Sequence, residues 1–183
     1  MNKQEIRRKI KQAKLDISKE KREAAAMEVM SKIEALPQFI EAKNILLYNA
    51  LPDELPTECM LNKWNSSKAL FLPVVDGDNL VIKRYNKELV KVGAFGIIEP
   101  LGDEIDCNII DFIIVPGVAF DRNLNRLGRG KGYYDRLLSE SNAFFAGIGY
   151  QMQVLEKIPV EDHDIKMNCI ITEREILRKS FFY

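Results

Sequence analysis

Between Asn125 and Arg136 the chain reads NRLGRGKGYYDR. That segment holds Gly128, Gly130 and Gly132, the cations Arg126, Arg129 and Lys131, the tyrosines Tyr133 and Tyr134, and the carboxylate Asp135. Alternating glycines let a backbone approach an anion and turn its N–H groups toward it. Arg and Lys bring the formal charge that a polyphosphate requires. Upstream, DFIIVPGVAFD (Asp111 to Asp121) reads as a buried strand emptying into a loop. Downstream, Tyr133 to Leu138 reads as the first turns of a helix, whose N-terminus adds partial positive charge. Strand, glycine-rich cationic loop and helix start together predict a phosphate-binding loop and a protein that handles a nucleotide.

Similar motifs do not fit. A Walker A loop needs G-x-x-x-x-G-K-[ST], but Gly132 follows Lys131 and Asn125 stands where the first glycine belongs. The dinucleotide fingerprint G-x-G-x-x-G fails because Gly132 comes directly two residues after Gly130. KGYY lacks the small residue and further aromatics of the RNA-binding strand motif. The plain alternative is a basic turn joining a strand to a helix, although three alternating glycines are costly to order without a need for the space.

The elements that must position this loop are legible as periodicities. Ile6, Ile10, Ala13 and Ile17 recur at helical spacing from residue 2 to 16, with cations on the other faces. Ser18 reads as the N-cap of a second helix that runs to about Leu36 and stops at Pro37. Asn44 to Asn49, Ala69 to Val75, Leu80 to Tyr85, Asp111 to Pro116, Phe144 to Tyr150 and Cys169 to Thr172 read as strands. Leu55 to Trp64 and Tyr133 to Glu140 read as intervening helices. The alternation predicts one α/β domain over residues 1–183: a mainly parallel sheet covered on both faces, with N-terminal helices. Val74 to Arg84, with Asp76, Gly77 and Asp78 at its tip, predicts an added antiparallel hairpin. Ligands of such sheets lie outside the carboxyl ends of the strands. The loops to watch are therefore Asn49 to Glu54 (NALPDE), Pro116 to Asp135, and Gly149 to Asp164.

The chain has 183 residues, 46% hydrophobic and 30% charged, and 27 basic residues balance 27 acidic ones. Such a composition fits a soluble globular protein with no overall pull toward nucleic acid or membrane. The balance is locally uneven, because Lys3 to Arg22 carries nine Lys or Arg residues against three acids. That basic helix reads as a solvated face, or as one whose cations reach phosphates at the Arg126 loop. Cys59, Cys107 and Cys169 form no CxxC pair, so reduced thiols and a cytoplasmic setting are expected. No signal peptide and no membrane-spanning run is seen, and a monomer is expected.

PGVAFDRNLNRLGRGKGYYDR (Pro116 to Arg136) resembles the signature of the 5-formyltetrahydrofolate cyclo-ligase (methenyltetrahydrofolate synthetase) family. The opening K-x-x-x-R (Lys3 to Arg7), YNALPDELPT (Tyr48 to Thr57), FGIIEP (Phe95 to Pro100) and PVEDHD (Pro159 to Asp164) agree with it, so the resemblance covers nearly the whole chain. It implies a three-layer α/β sandwich and an ATP- and Mg2+-dependent closure of 5-formyltetrahydrofolate to 5,10-methenyltetrahydrofolate, with release of ADP and phosphate. By resemblance, Lys3 and Arg7 join Arg126, Leu127, Gly128, Arg129, Gly130, Lys131, Gly132, Tyr133 and Tyr134 in the ATP site. Asn49 and Glu54, with Arg129, Gly130, Lys131, Gly132 and Tyr133, match the folate site. Arg129, Lys131 and Tyr133 are the implied catalytic groups, and Asp135 and Asn168 the implied magnesium ligands.

Each implied role has a structural rival. Asp135 could only favour the helix dipole, Glu54 could cap the helix near Pro56, and one tyrosine of Tyr133 and Tyr134 should pack in the core. His163, the single histidine, reads as a loop residue rather than a base, and Trp64 as helix packing. The family has glycine where this chain has Leu124, and leucine resists φ > 0, so that turn is expected to take another shape. Asn168 stands where the family carries an aspartate, which predicts a raised magnesium requirement. A binder of reduced folate with weak or no turnover is the alternative, supported by Asn168. An RNA-binding module is disfavoured by net neutrality and the lack of interleaved aromatics.

Overall fold

The computed structural model describes residues 1–93 and 96–179. Helix α1 (Lys3–Lys14) opens with a reciprocal cap: Asn2 accepts the Glu5 N–H while the Glu5 carboxylate accepts the Asn2 N–H. Ser18 caps α2 (Lys19–Glu34) by accepting the Lys21 N–H. That helix ends short of Leu36 because Pro37 starts a turn of its own, α3 (Pro37–Glu41), where a fixed φ suits the first helical position. There follow β1 (Asn44–Leu46), α4 (Glu58–Trp64), β2 (Ala69–Asp76), β3 (Asn79–Arg84), β4 (Val90–Val92), β5 (Ile98–Pro100) and β6 (Glu104–Ile105). Then come β7 (Phe112–Pro116), β8 (Ala119–Asp121), β9 (Arg126–Leu127), α5 (Tyr133–Ser139), β10 (Phe144–Ile148), β11 (Val154–Leu155), β12 (Cys169–Ile171) and β13 (Ile176–Arg178). Phe95, which opens the FGIIEP segment, lies outside the described residues.

The main sheet has the order β13-β12-β10-β7-β1-β2-β3-β6. Its five central strands run parallel, while β13, β3 and β6 pair antiparallel at the edges. The expected hairpin is β2–β3, with Asp76 opposite Asn79 and Gly77 turning at φ 58°. Alternation along the strands divides the core in two. Ile45, Phe112, Ile114 and Ile148 pack with Val29, Ile33, Phe39 and Trp64 of the α2–α4 layer. Leu46, Ile113, Val115 and Phe145 pack on the opposite face with Phe120, Leu137 and Leu138. The result is the three-layer sandwich that the sequence predicts.

A third, small cluster fixes the functional end. Ile6 and Ile10 of α1 pack on Ala119, Leu127 and Ile158, against the small sheet β11-β8-β9. This sheet, which periodicity does not reveal because its strands are two or three residues long, holds the start of the glycine loop.

The turn between β8 and β9 corrects one expectation. Leu124 does adopt the left-handed region, at φ 66°. The cost of roughly 1–2 kcal/mol is met by its surroundings. The buried Asp121 carboxylate accepts N–H groups from Asn123, Asn125 and Ile158 and the Asn125 side-chain amide. Leu124 itself is buried, and its carbonyl accepts the Met167 N–H at 2.9 Å.

Candidate functional site

The carboxyl ends of β1, β7 and β10 lead into the three loops singled out above, which therefore share one edge of the sheet. In the glycine loop, a Cβ on Gly128 would stand 2.9 Å from Arg126 Nη1, so glycine there makes room for the arginine. Gly132 caps α5 at φ 67°. Arg7 reaches across from α1, and its Nε donates to the Gly128 carbonyl at 2.9 Å. Lys3, one turn earlier, goes elsewhere: its ammonium lies 2.9 Å from Asp164 and 3.1 Å from Glu161. Burial lowers the Lys3 pKa, but those carboxylates raise it further, and the net direction is up. His163, 69% exposed on the same turn, is a surface loop residue.

Two arginines of the loop have opposite environments. Arg126 is buried, and its Nη2 lies 3.0 Å from both oxygens of Asp135, while Nη1 donates to the Pro116 carbonyl at 3.3 Å. Arg129 stands 47% exposed and binds Asp53 at 2.6 Å and Glu54 at 3.1 Å. Burial raises the Asp53 pKa, yet the hydrogen bond and charge of Arg129 outweigh it and leave the carboxyl below its ordinary range. Glu54 is held from behind by the Leu51 N–H at 2.9 Å, and Thr57, not Glu54, stands at the N-cap of α4.

The tyrosines divide as expected. Tyr134 packs on the inner core, and burial pushes its hydroxyl pKa well up. Tyr133 lies outside, its hydroxyl 3.4 Å from the Gly77 carbonyl of the hairpin tip, with Lys131 and Arg136 flanking its ring at 5.8 and 5.6 Å. Arg136 also donates to Asn79 Oδ1 at 3.2 Å and to the Asp78 carbonyl, tying α5 to the hairpin. Asn49 donates to the Ile98 carbonyl at 3.1 Å. Leu127 is buried beneath α1, so only its backbone can face a ligand, and its carbonyl is already taken by the Val118 N–H.

Asn168 is not brought to this edge. It precedes β12 at the amino end of the parallel strands, and its Oδ1 accepts the Phe145 N–H at 2.7 Å. Three residues of β10 separate that level from the carboxyl edge, about 10 Å along the strand. The expected Asp135–Asn168 metal pair is thus not assembled, and the expected raised magnesium requirement loses its basis. Among the described residues no group of three or more His, Cys, Asp or Glu side chains could hold a metal. Mg2+ needs fewer protein ligands when phosphates supply oxygens; Asp135, at the head of α5, is the one implied carboxylate at this edge, and both its oxygens already meet Arg126 at 3.0 Å.

Sequence reading missed Asp53, Asp121 and Arg136. For Asp53 a signal existed, since it adjoins Glu54 in the watched loop, and for Asp121 the Asn123 and Asn125 that follow it; Arg136 acts through Asp78 and Asn79, distant in sequence.

Together these features define an α/β protein with a glycine-rich cationic loop and a neighbouring acidic pair at the carboxyl edge of its sheet. The 5-formyltetrahydrofolate cyclo-ligase family model matches residues 1–173, and the chain belongs to that family of ligases. It is 31% identical to the 5-formyltetrahydrofolate cyclo-ligase of Haemophilus influenzae, covering 92% of this chain and 96% of that one. The solved 5,10-methenyltetrahydrofolate synthetase of Aquifex aeolicus is 35% identical, with a TM-score of 0.89 over 100% of this chain and 97% of that one. The Mycoplasma pneumoniae synthetase structure, at 23% identity, shares the fold with a TM-score of 0.79 over 95% of this chain and 100% of that one. No helix among the described residues is long and apolar enough to cross a membrane.

Proposed function

We propose that this protein closes 5-formyltetrahydrofolate to 5,10-methenyltetrahydrofolate with ATP and Mg2+ at the glycine loop. A formamide oxygen is a poor leaving group. Transfer of the γ-phosphoryl group to it forms an O–P bond and breaks the bond to ADP. Attack by the folate N10 on the formyl carbon then closes the ring; the C–O bond breaks, and phosphate leaves as N10 gives up its proton. Such transfers depend on positioning and charge neutralisation.

The chain has groups suited to both tasks. Arg7, Arg129, Lys131 and the Gly128–Gly132 backbone face the phosphates. Glu54, supported by the Leu51 N–H, accepts hydrogen bonds from the pterin, with Asn49 beside it. Tyr133 and the hairpin tip it touches form the outer wall. Arg126 and Lys3 act as supports, since their charges are already engaged. Bound Mg2+ would neutralise phosphate charge, and Asp135 would meet it through oxygen lone pairs not used by Arg126.

The observation that supports this reading is the Arg129–Glu54 ion pair at 3.1 Å, in which the carboxylate proposed for the folate and the cation proposed for the phosphates are neighbours. The alternative, a folate binder with weak turnover, rested on Asn168, and its contact with Phe145 withdraws that support. The test is growth of methenyl absorbance when purified protein meets 5-formyltetrahydrofolate, ATP and Mg2+. Growth that requires both ATP and Mg2+ is expected; binding of folate without any growth would overturn the reading.

A further inference from the structure

Arg136 belongs to α5, yet its guanidinium turns back onto the glycine loop and outward onto the hairpin. Its Nη2 donates to the Lys131 carbonyl at 3.0 Å and to the Asp78 carbonyl. Its Nε donates to Asn79 Oδ1 at 3.2 Å. One side chain thus fastens the end of the glycine loop to the turn of the β2–β3 hairpin. Tyr133 lies three residues earlier on the same helix face, and its hydroxyl meets the Gly77 carbonyl of that turn at 3.4 Å. The Arg136 guanidinium also flanks the Tyr133 ring at 5.6 Å.

These contacts do not neutralise charge. Arg126 and Arg129 meet carboxylates, whereas the hydrogen-bond acceptors of Arg136 are two carbonyls and an amide oxygen. Among the described residues it makes no ion pair. A rigid fork of donors suits the joining of several acceptors. Gly132 is matched to that fork, because a Cβ there would stand 2.8 Å from Arg136 Nη1. The hairpin turn has little else to place it: Asp76, Gly77, Asp78 and Asn79 are exposed, and apolar packing resumes only at Leu80. A turn without buried side chains takes its position from polar contacts.

We propose that Arg136 is a positioning residue that clasps the hairpin turn to Lys131 and Tyr133 and holds both for phosphoryl transfer. It acts through those two groups rather than on a reactant. The inference rests on the reading that Lys131 and Tyr133 work at the reacting centre. An exposed clasp stabilises the fold little. Its loss is felt instead in the placement of the loop, where small displacements are costly to the reaction.

The experiment compares wild type, Arg136→Ala, Arg136→Lys, Asn79→Ala and Arg136→Ala/Asn79→Ala. Each is measured in steady-state turnover, in urea denaturation, and in ligand-free digestion with a protease that cuts before aspartate. Arg136→Ala should keep the wild-type unfolding midpoint, lower kcat about tenfold and change either KM by less than about twofold. Cutting at Asp76 or Asp78 should become several-fold faster. Arg136→Lys keeps the charge without the fork and should stay close to Arg136→Ala; full activity with lysine would overturn the clasp. Asn79→Ala should lower kcat less, and should add little to Arg136→Ala, because both remove one clasp; additive losses would refute it. Unchanged cutting, or lower stability with wild-type kcat, would also overturn the proposal. If Arg136→Ala does not fold, Asn79→Ala decides: faster cutting with a lower kcat supports the clasp, and a wild-type kcat refutes it. Wild type that binds folate without turnover would overturn the proposed function and this inference with it. Normal wild-type turnover with an indifferent Arg136→Ala would sink the inference alone.

Discussion

Arg126 and Arg129 lie three residues apart in one loop, and each binds carboxylate, yet they belong to different kinds of structure. Arg126 is enclosed, meets both oxygens of Asp135, and joins the strand end at Pro116 to α5. Arg129 is half in solvent and shared between two neighbouring acids. A buried pair is costly to break because each partner is stranded without water, whereas an exposed pair exchanges readily. The first arginine therefore builds the loop, and the second is free to act from it. Charge alone does not tell a ligand-binding cation from a supporting one; its existing partners and its exposure do.

The largest effect that sharpens this contrast falls on stability. Arg126→Ala leaves the largely enclosed Asp135 carboxylate with only the Ile165 N–H at 3.4 Å, and should lower the unfolding free energy by about 3 kcal/mol in urea denaturation. A loss under about 1 kcal/mol would mean that the enclosed pair is not a support. Leu124→Gly comes next: it relieves about 1 kcal/mol of left-handed strain but forfeits about 3 kcal/mol of buried leucine, for a net loss of about 2 kcal/mol. A gain in stability would show that strain outweighs packing in that turn.

The smallest effect lies on the helix side of the site. Burial raises the Asp164 pKa, but the Lys3 hydrogen bond and other partners lower it more, and its folded value lies below the ordinary one. A depressed carboxyl stabilises the fold fully above its unfolded pKa of about 3.9 and loses that contribution as pH falls through the lower folded value. Asp164→Asn should thus cost about 1 kcal/mol or less at neutral pH and converge with wild type in strong acid. An equal difference at both pH values would exclude the carboxylate as its source.

The sheet, the hairpin and the glycine loop were legible because each is local: alternation marks the strands, Asp76-Gly77-Asp78 marks the turn, and glycines with cations mark the loop. Helix ends at Glu34 and Ser139 differ by a residue or two from the pattern, since capping decides them rather than periodicity. Long-range contacts were not legible. Nothing in the sequence around Asn168 says that its amide oxygen accepts from the neighbouring strand, or that Ile158 brings a distant donor to the Asp121 carboxylate beside Leu124. The family signature nominated the residues of the candidate site, and geometry separates those held in enclosed contacts, such as Arg126, from those half in solvent, such as Arg129.

Arg129→Ala, with turnover and denaturation recorded on the same preparation, tests the central claim most directly. Removal of an exchangeable phosphate-side cation should reduce turnover at least about 100-fold, while the unfolding free energy moves by no more than about 1 kcal/mol. Turnover close to wild type, or a loss of stability as large as that of Arg126→Ala, would contradict the account.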